Sequence, residues 1–555
     1  MKFEQLPNIQ YPNPYLRVND FVMLSGAWDF SFSKEKEIPS KFENKIIVPF
    51  TYETKLSGIN NQKPHSSMWY HRKFNIKQHH GRIILHFGAV DYSCVVFING
   101  IKAGTHKGGY TSFFFDITSY VHEGDNNIAI HVKESLSKSH LSGKQRRKKT
   151  SYECWYTQSS GIWKDVYLEY IGKDFIKNIK ISADKDGEVC VELLANKEKT
   201  RRIELYQGNK LVYSFIAKQN VFSFKIMNPL LWSIKEPNLY ELKVISDYEV
   251  STSFGFRSVE AKEDGIHLNG ERIYLRAILD QGYWKDSLIT PPSKKALFDD
   301  IALTMEMGFN AIRKHQKIEE NYFYYICDCL GVLTTLEIPS PYCFNKTMRS
   351  EFETTLKQVN NQLFNSPSVF SWLLINESWG VYKIHDDNEQ QQFVKDMTAL
   401  AKNINKNRLA IANDGWNQME ETDIASFHEY QQNGQLFKEK YLTKEKILNE
   451  DKINTFGPLF AKNNSYHNQP IVCSECGGVS VSKEGWGYGE KAAKEDLLKR
   501  ISDIINAIYE LDYISGFCLT QLTDVEQETN GLLTNDRKPK ANLDDIKRVI
   551  KGEKE

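Results

Sequence analysis

The sequence predicts a multidomain chain in which two antiparallel β-sandwiches precede a (β/α)8 barrel. At 555 residues and roughly 150 residues per domain, there is room for three or four hydrophobic cores. The first half consists of short apolar alternations broken by turn residues. Beyond Gly265 the texture changes to short β runs separated by amphipathic stretches of about ten residues or more.

From Trp28 to about Ile171, segments such as Arg82-Ile83-Ile84-Leu85-His86-Phe87 and Cys94-Val95-Val96-Phe97-Ile98 stop at Asn99-Gly100 and Gly108-Gly109. Such pairs accept the positive φ of tight hairpins. The pattern predicts an antiparallel sandwich over residues 1–173. A second set of strands, Ile203–Tyr206 and Tyr240–Val244 among them, closes on Phe254-Gly255-Phe256-Arg257 and has the size of an immunoglobulin-like sandwich, residues 174–262. Residues 263–555 hold eight β runs: Ile273–Leu279, Asn310–Lys314, Val332–Glu337, Val369–Asn376, Leu409–Asn413, Ile424–Glu429, Ile471–Glu475 and Gly516–Leu522. Amphipathic segments such as Ser293–Met307 and Glu490–Leu511 lie between most of them, which fits a (β/α)8 barrel.

Composition narrows the function. Lys plus Arg and Asp plus Glu both total 71, so there is no net field to hold a polyanion or an acidic membrane. No nucleic-acid or membrane partner is expected. No run reaches the ~20 apolar residues of a membrane span, and Met1–Tyr15 lacks a basic start and an apolar core. The expected location is cytoplasmic, with the odd set of nine cysteines reduced. Lys144-Gln145-Arg146-Arg147-Lys148-Lys149 reads as a solvated basic loop. Aromatics at 12% suit sugar stacking.

In a barrel, chemistry sits where strands end. Ser371-Trp372-Leu373-Leu374-Ile375-Asn376-Glu377 and Pro470-Ile471-Val472-Cys473-Ser474-Glu475 each carry a carboxylate to a strand mouth, on the fourth and seventh runs. Two carboxylates meeting across a cleft are what glycoside hydrolysis requires. Strand ends also supply Arg313 and His315, Asp280 and Gln281, Asn413 and Asp414, His428 and Tyr430, and Gln521 and Asp524 as pocket walls. Trp284, Trp379, Trp416 and Trp486 lie in loops on the same face. Cys473-Ser474-Glu475-Cys476 has the spacing of a redox or half-zinc motif, but no second pair completes a metal set.

On Phe87-Gly88-Ala89-Val90-Asp91-Tyr92, Val95 to Asn99-Gly100, Gly108-Gly109-Tyr110, Ser160-Gly161-Ile162-Trp163, Gly308-Phe309-Asn310-Ala311-Ile312-Arg313 and Asn376-Glu377-Ser378, the chain resembles glycoside hydrolase family 2, the β-galactosidase, β-glucuronidase and β-mannosidase group. The order and spacing of these motifs are specific where each alone is weak. The resemblance implies an N-terminal jelly-roll β-sandwich, an immunoglobulin-like β-sandwich and a C-terminal catalytic (β/α)8 barrel. It implies a retaining exo-β-glycosidase in which Glu475 is the nucleophile and Glu377 the acid/base, with carboxyl groups about 5–5.5 Å apart. Glu377 would then need partial burial and a negative neighbour, and Glu475 a cationic one, for which Arg313 is expected. Asn376 would address the sugar 2-hydroxyl.

The implied substrate is a terminal β-linked sugar, β-galactoside first. The Asn-X-Lys triplet of the family's glucuronidases reads Asn530-Gly531-Leu532 here, which disfavours a uronic acid. The Trp that the family commonly places on strand eight is missing from Cys518-Leu519-Thr520-Gln521. β-Glucuronidase or β-mannosidase specificity and a catalytically silent carbohydrate-binding relative are the alternatives. No cofactor and no metal is expected: Ile338-Pro339-Ser340 follows Glu337 where the large galactosidases carry a magnesium-associated stretch. Homo-oligomerisation is left open.

Overall fold

Asn99 and Gly100 take φ values of 50° and 79°, closing the hairpin between strands Ser93–Ile98 and Ile101–Lys107. This turn is one edge of a jelly-roll sandwich in a computed structural model that describes residues 1–449, 453 and 456–553. A six-stranded sheet built on Ser67–Ile76 and Gly124–Lys133 faces a four-stranded one built on Arg82–Phe87 and Val166–Ile171. Alternate residues from both, including Trp28, Phe30, Tyr70, Leu85, Val96, Ile130 and Leu168, fill the space between them.

The immunoglobulin-like sandwich packs a five-stranded sheet against a three-stranded one. In the larger sheet, Ile203 stands opposite Val244 and Leu205 opposite Leu242, so the alternation buries one face. Arg17–Val18 pairs with Glu249–Phe254, tying the N-terminal segment to this second sheet.

The C-terminal region is an eight-stranded parallel sheet: β1 Leu275–Asp280, β2 Ala311–Lys314, β3 Leu333–Glu337, β4 Val369–Asn376, β5 Leu409–Asp414, β6 Ala425–Glu429, β7 Ile471–Gly477 and β8 Ile514–Thr520. Its order is β5-β4-β3-β2-β1-β8-β7-β6. The two end strands meet across a seam where Asp423 N donates to Ala410 O (2.8 Å) and Ala410 N donates to the Asp423 carboxylate (2.8 Å). Strands β4, β5, β7 and β8 are buried along their whole length, as a sheet with helices outside and a filled interior requires.

Helices flank the barrel, among them α1 Lys294–Glu306, α2 Asn321–Leu330, α3 Lys346–Leu363 and α4 Asn388–Ile404. Ser293 caps α1, its hydroxyl accepting from Ala296 N at 3.1 Å. The segment expected over Glu490–Leu511 is helical as an α-helix only from Leu497 to Tyr509. The strand Gly265–Leu268 closes the bottom of the barrel, where Ile266 joins Leu275, Leu333, Leu409 and Val472 in one cluster. The amino end is therefore plugged, and the carboxyl rim is the open one.

Candidate active site

Parallel strands in a closed barrel bring their carboxyl ends to one rim, and Arg313 ties five of them together. Its guanidinium, 3% exposed, donates from Nε to Glu337 Oε2 (2.8 Å), from Nη1 to Asp414 Oδ2 (2.6 Å) and the Ser474 carbonyl (3.0 Å), and from Nη2 to Asn376 Oδ1 (2.8 Å). Nη1 also lies 3.2 Å from Glu475 Oε1. Because Asn376 turns its oxygen to Arg313, Nδ2 is the end left for a ligand. Glu337 and Asp414 are fully buried; burial alone would raise both, but Arg313 outweighs it, with His315 holding Glu337 at about 2 and His428 holding Asp414 well below the usual carboxylate range.

Glu475, on β7, is 4% exposed. Burial would raise its carboxyl, but the charges of His428 and Arg313 prevail and hold it below its ordinary value. Tyr430 donates its hydroxyl to Glu475 Oε2 at 2.5 Å, and its ring stacks on Tyr488 at 3.5 Å.

Glu377 follows β4 in a left-handed turn, with φ 50° at Glu377 and 58° at Ser378. Two non-glycine residues in this region persist only when neighbours over-determine them. Those neighbours are on β5: Glu377 N donates to Asp414 O, and Ser378 N donates to Asn413 Oδ1, both at 3.0 Å. The Glu377 side chain, 22% exposed, accepts from His428 Nδ1 at 2.9 Å. Beside the negative neighbour expected, Glu475, stands a histidine that faces both carboxylates, 3.6 Å from Glu475.

Glu377, His428 and Glu475 bring one donor atom each within 4.8 Å of one another, a spacing a cation could use. The carboxylates around His428 favour its charged form. His428 Nε2 is 2.6 Å from Asp414 Oδ2 and Nδ1 faces carboxylates; burial lowers the ring, but Glu475 and Asp414 raise it to about 10. In that form the ring has no lone pair for a metal, which could bind at Nδ1 only in place of the proton there.

Several expected pocket residues act elsewhere. Asn413 spends its amide on the β4 and β5 loops, donating to Ser378 Oγ (3.0 Å) and Trp416 O (2.7 Å). Asp280 points outward to Lys314, whose ammonium sits over the Phe323 ring of α2 at 4.1 Å. Adjacent residues on a strand face opposite sides, so each strand end sends only part of its polar pair inward. Asp524 pairs with Lys540 at 2.6 Å, and Trp284 packs under Arg537 at 3.8 Å. His315 is held against Glu337 at 3.0 Å, and Trp416 meets His428 edge-on at 5.7 Å. Gln281 donates to Gln521 (2.8 Å), which donates to Asn530 (2.7 Å), which donates to Glu528 (3.2 Å). The oxygen of Gln281 has no donor among the described residues.

The basic run is not a solvated loop. Lys144, Gln145 and Arg146 are 5%, 5% and 4% exposed, and only Lys148 and Lys149 of the run are fully outside. Residues 143–157 lie across the barrel rim: Gly143 N donates to Ser340 O (3.1 Å), Trp155 Nε1 donates to Tyr342 Oη (2.7 Å), and Tyr156 Oη donates to Glu528. Trp155 stacks on Trp379 at 5.6 Å, and Trp486 donates to Glu153 O at 2.9 Å. The Lys144 ammonium, 5.6 Å from the Trp379 ring, has no hydrogen-bond or ion-pair partner among the described residues. Sequence reading missed Lys144, Trp155, Tyr156, Glu337, Ser474, Tyr488 and Glu528; of these only Glu337 and Ser474 carried a signal, their position at strand ends.

The cysteine pair is inert in this setting. Cys473 and Cys476 are free thiols at 0% exposure, packed among helix-facing residues, and burial pushes the Cys473 thiol up.

A (β/α)8 barrel fronted by two sandwiches, with carboxylates gathered at its carboxyl rim, is a scaffold of the glycoside hydrolase kind. Residues 19–171 match the sugar binding domain of glycosyl hydrolases family 2, and residues 166–257 match a second segment of glycosyl hydrolases family 2, so the two sandwiches resemble that family. It is 29% identical over 353 residues to a β-galactosidase of Thermoanaerobacterium thermosulfurigenes, covering 59% of this chain and 47% of that one. The chain spans about half the length of the curated relatives it matches first. A β-glucuronidase from an uncultured Clostridium shares the fold with a TM-score of 0.80 at 20% identity, over 97% of this chain and 98% of that one. The galacturonate-bound β-galacturonidase of Eisenbergiella tayi does so with 0.76 at 18%, over 98% and 99%. Among the described residues no helix is long and apolar enough to cross a membrane.

Proposed function

We propose that the chain is a retaining exo-β-glycosidase acting by double displacement. Glu475 attacks the anomeric carbon while Glu377 protonates the leaving oxygen; Glu377 then takes a proton from the water that hydrolyses the glycosyl ester. The observation that carries this reading is the separation of no more than 4.8 Å between an oxygen of Glu377 and one of Glu475. An inverting pair stands ~6.5–9.5 Å apart to admit a water. Glu475, the group held ionised, is the one suited to attack. The loop carrying Trp155 and Tyr156 walls the rim, in keeping with a pocket for one terminal sugar.

β-Galactoside-like substrates are proposed first. The Gln281–Gln521–Asn530–Glu528 chain, with its unfilled Gln281 oxygen, suits the hydroxyls of a neutral sugar, and Glu528 opposes a second carboxylate. A uronide is the second reading, favoured by the Lys144 ammonium, which has no hydrogen-bond or ion-pair partner among the described residues. Hydrolysis of nitrophenyl β-galactoside, β-glucuronide, β-galacturonide and β-mannoside by the wild type and Glu475→Gln tests both. Turnover of one that is abolished in the variant, together with a β-glycosyl azide from Glu377→Ala and an α-azide from Glu475→Gly, is the expected result. Reversed azide stereochemistry refutes the roles, and a wild type inactive on every β-glycoside and on oligosaccharides refutes the activity.

A further inference from the structure

His428 is placed where no simple pocket wall would be. It is 2% exposed, and each ring nitrogen faces a carboxylate: Nε2 lies 2.6 Å from Asp414 Oδ2, and Nδ1 lies 2.9 Å from Glu377 Oε1 and 3.6 Å from Glu475 Oε2. Asp414 on Nε2 and the ionised Glu475 on the Nδ1 side both favour a proton on the nitrogen that faces them, so the surroundings favour the imidazolium. The charged groups packed around it come from every side: Asp414 from β5 with Arg313 of β2 behind it, Glu475 from β7, Glu377 after β4, and Lys144 from the sandwich loop, whose field reaches both glutamates. Ser474 donates to Asp414 at 2.6 Å, and Trp416 closes the remaining edge.

Resting on the roles proposed above for the two glutamates, we propose that His428 is their shared counter-ion, a positioning residue whose Nδ1–H serves whichever carboxylate is charged. In the free enzyme Glu475 is the anion and Glu377 holds the acidic proton. When Glu475 forms the bond to the anomeric carbon, it becomes a neutral ester; Glu377 gives its proton to the departing oxygen and becomes the anion. One negative charge has moved across the site, and Nδ1 lies within 2.9 and 3.6 Å of its two locations. In the second step the attacking water gives its proton to Glu377 and its oxygen to the sugar, and Glu475 leaves as carboxylate. His428 keeps both protons throughout, so the balance closes without an additional donor.

The test compares wild type with His428→Gln and, as a smaller second variant, His428→Asn. A 2,4-dinitrophenyl 2-deoxy-2-fluoro-β-glycoside of the preferred sugar counts folded sites by labelling Glu475. Without the cation both glutamates become weaker acids, so both limbs of the pH profile of kcat/KM move up, by about one pH unit. On labelled-site normalisation, nitrophenyl glycosides lose roughly ten- to hundred-fold and dinitrophenyl glycosides, which need no acid, markedly less. Unmoved limbs, or equal loss on both leaving groups, overturn the proposal. A wild type whose Glu475 takes no label overturns the reading beneath it instead, and the inference with it. If neither variant labels while the wild type does, His428 is a folding residue and the proposal fails.

Discussion

Arg313→Met is the perturbation that most directly tests the electrostatics of the rim. Methionine keeps the unbranched stem as far as the position of Nε and removes the charge, leaving Glu337, Asp414 and Glu475 to face His428, His315 and the field of Lys144. At 3.2 Å and an effective dielectric of about 20, the Arg313–Glu475 attraction is roughly 5 kcal/mol. His428, at 3.6 Å, supplies a second and partly compensating charge, so about half of that attraction, 2–3 kcal/mol, is the expected loss to the ionised nucleophile. That corresponds to an acid limb moved upward by about two pH units, so the fall in kcat/KM is several-fold at most at pH 6 and approaches about 100-fold only at pH values below the wild-type limb. Stability should fall by about 3–5 kcal/mol, the range for removing one partner of a buried ion pair, rather than by the sum of all four donated bonds, because the carboxylates take up protons. The assays are kcat/KM against pH on a nitrophenyl glycoside and the urea midpoint followed by tryptophan fluorescence. Arg313→Lys should restore the limb and recover only part of the stability, since an ammonium keeps the charge without the fork that holds Asn376 and Glu337. An acid limb that stays in place in Arg313→Met, however large the drop in rate, refutes the assignment of Arg313 as the charge that keeps Glu475 ionised.

Two further outcomes are expected. Trp155→Ala removes the stack on Trp379 and the hydrogen bond to Tyr342; KM should rise about ten-fold with kcat changed less than about three-fold, and an unchanged KM would show that the sandwich loop is scaffold only. For stability against pH, the folded-state value of His428 is raised to about 10 from 6.5, so its contribution is fully present below about 6.5 and lost as pH rises through about 10. The wild-type denaturation midpoint should fall over that window more than that of His428→Gln, and parallel curves would show that the ring is not charged in the folded state.

Much of the fold was legible because its determinants are local. Period-two alternation ending at Asn99-Gly100 marks a hairpin wherever it occurs, and apolar runs that recur between amphipathic segments mark a barrel whose rim is their carboxyl end. The carboxylates at the ends of β4 and β7 were readable for that reason, as were Arg313 and His428. Which member of a strand-end pair faces inward was not. Asn413 and Asp414 are neighbours, yet Asp414 bonds Arg313 and His428 while Asn413 clamps the turn that holds Glu377. Asp280 and Gln281 divide in the same way.

By itself, then, the sequence determined the order of the three folded units, the strand ends that carry the carboxylates and the family the chain resembles. Only the tertiary structure decided that Lys144, Trp155 and Tyr156 cross from the jelly roll to the barrel rim, and that His428 stands between Glu377 and Glu475. Composition records that a basic run is charged, but not what it packs against. The environment of a side chain is set by residues hundreds of positions away, and both charge state and exposure follow from that environment.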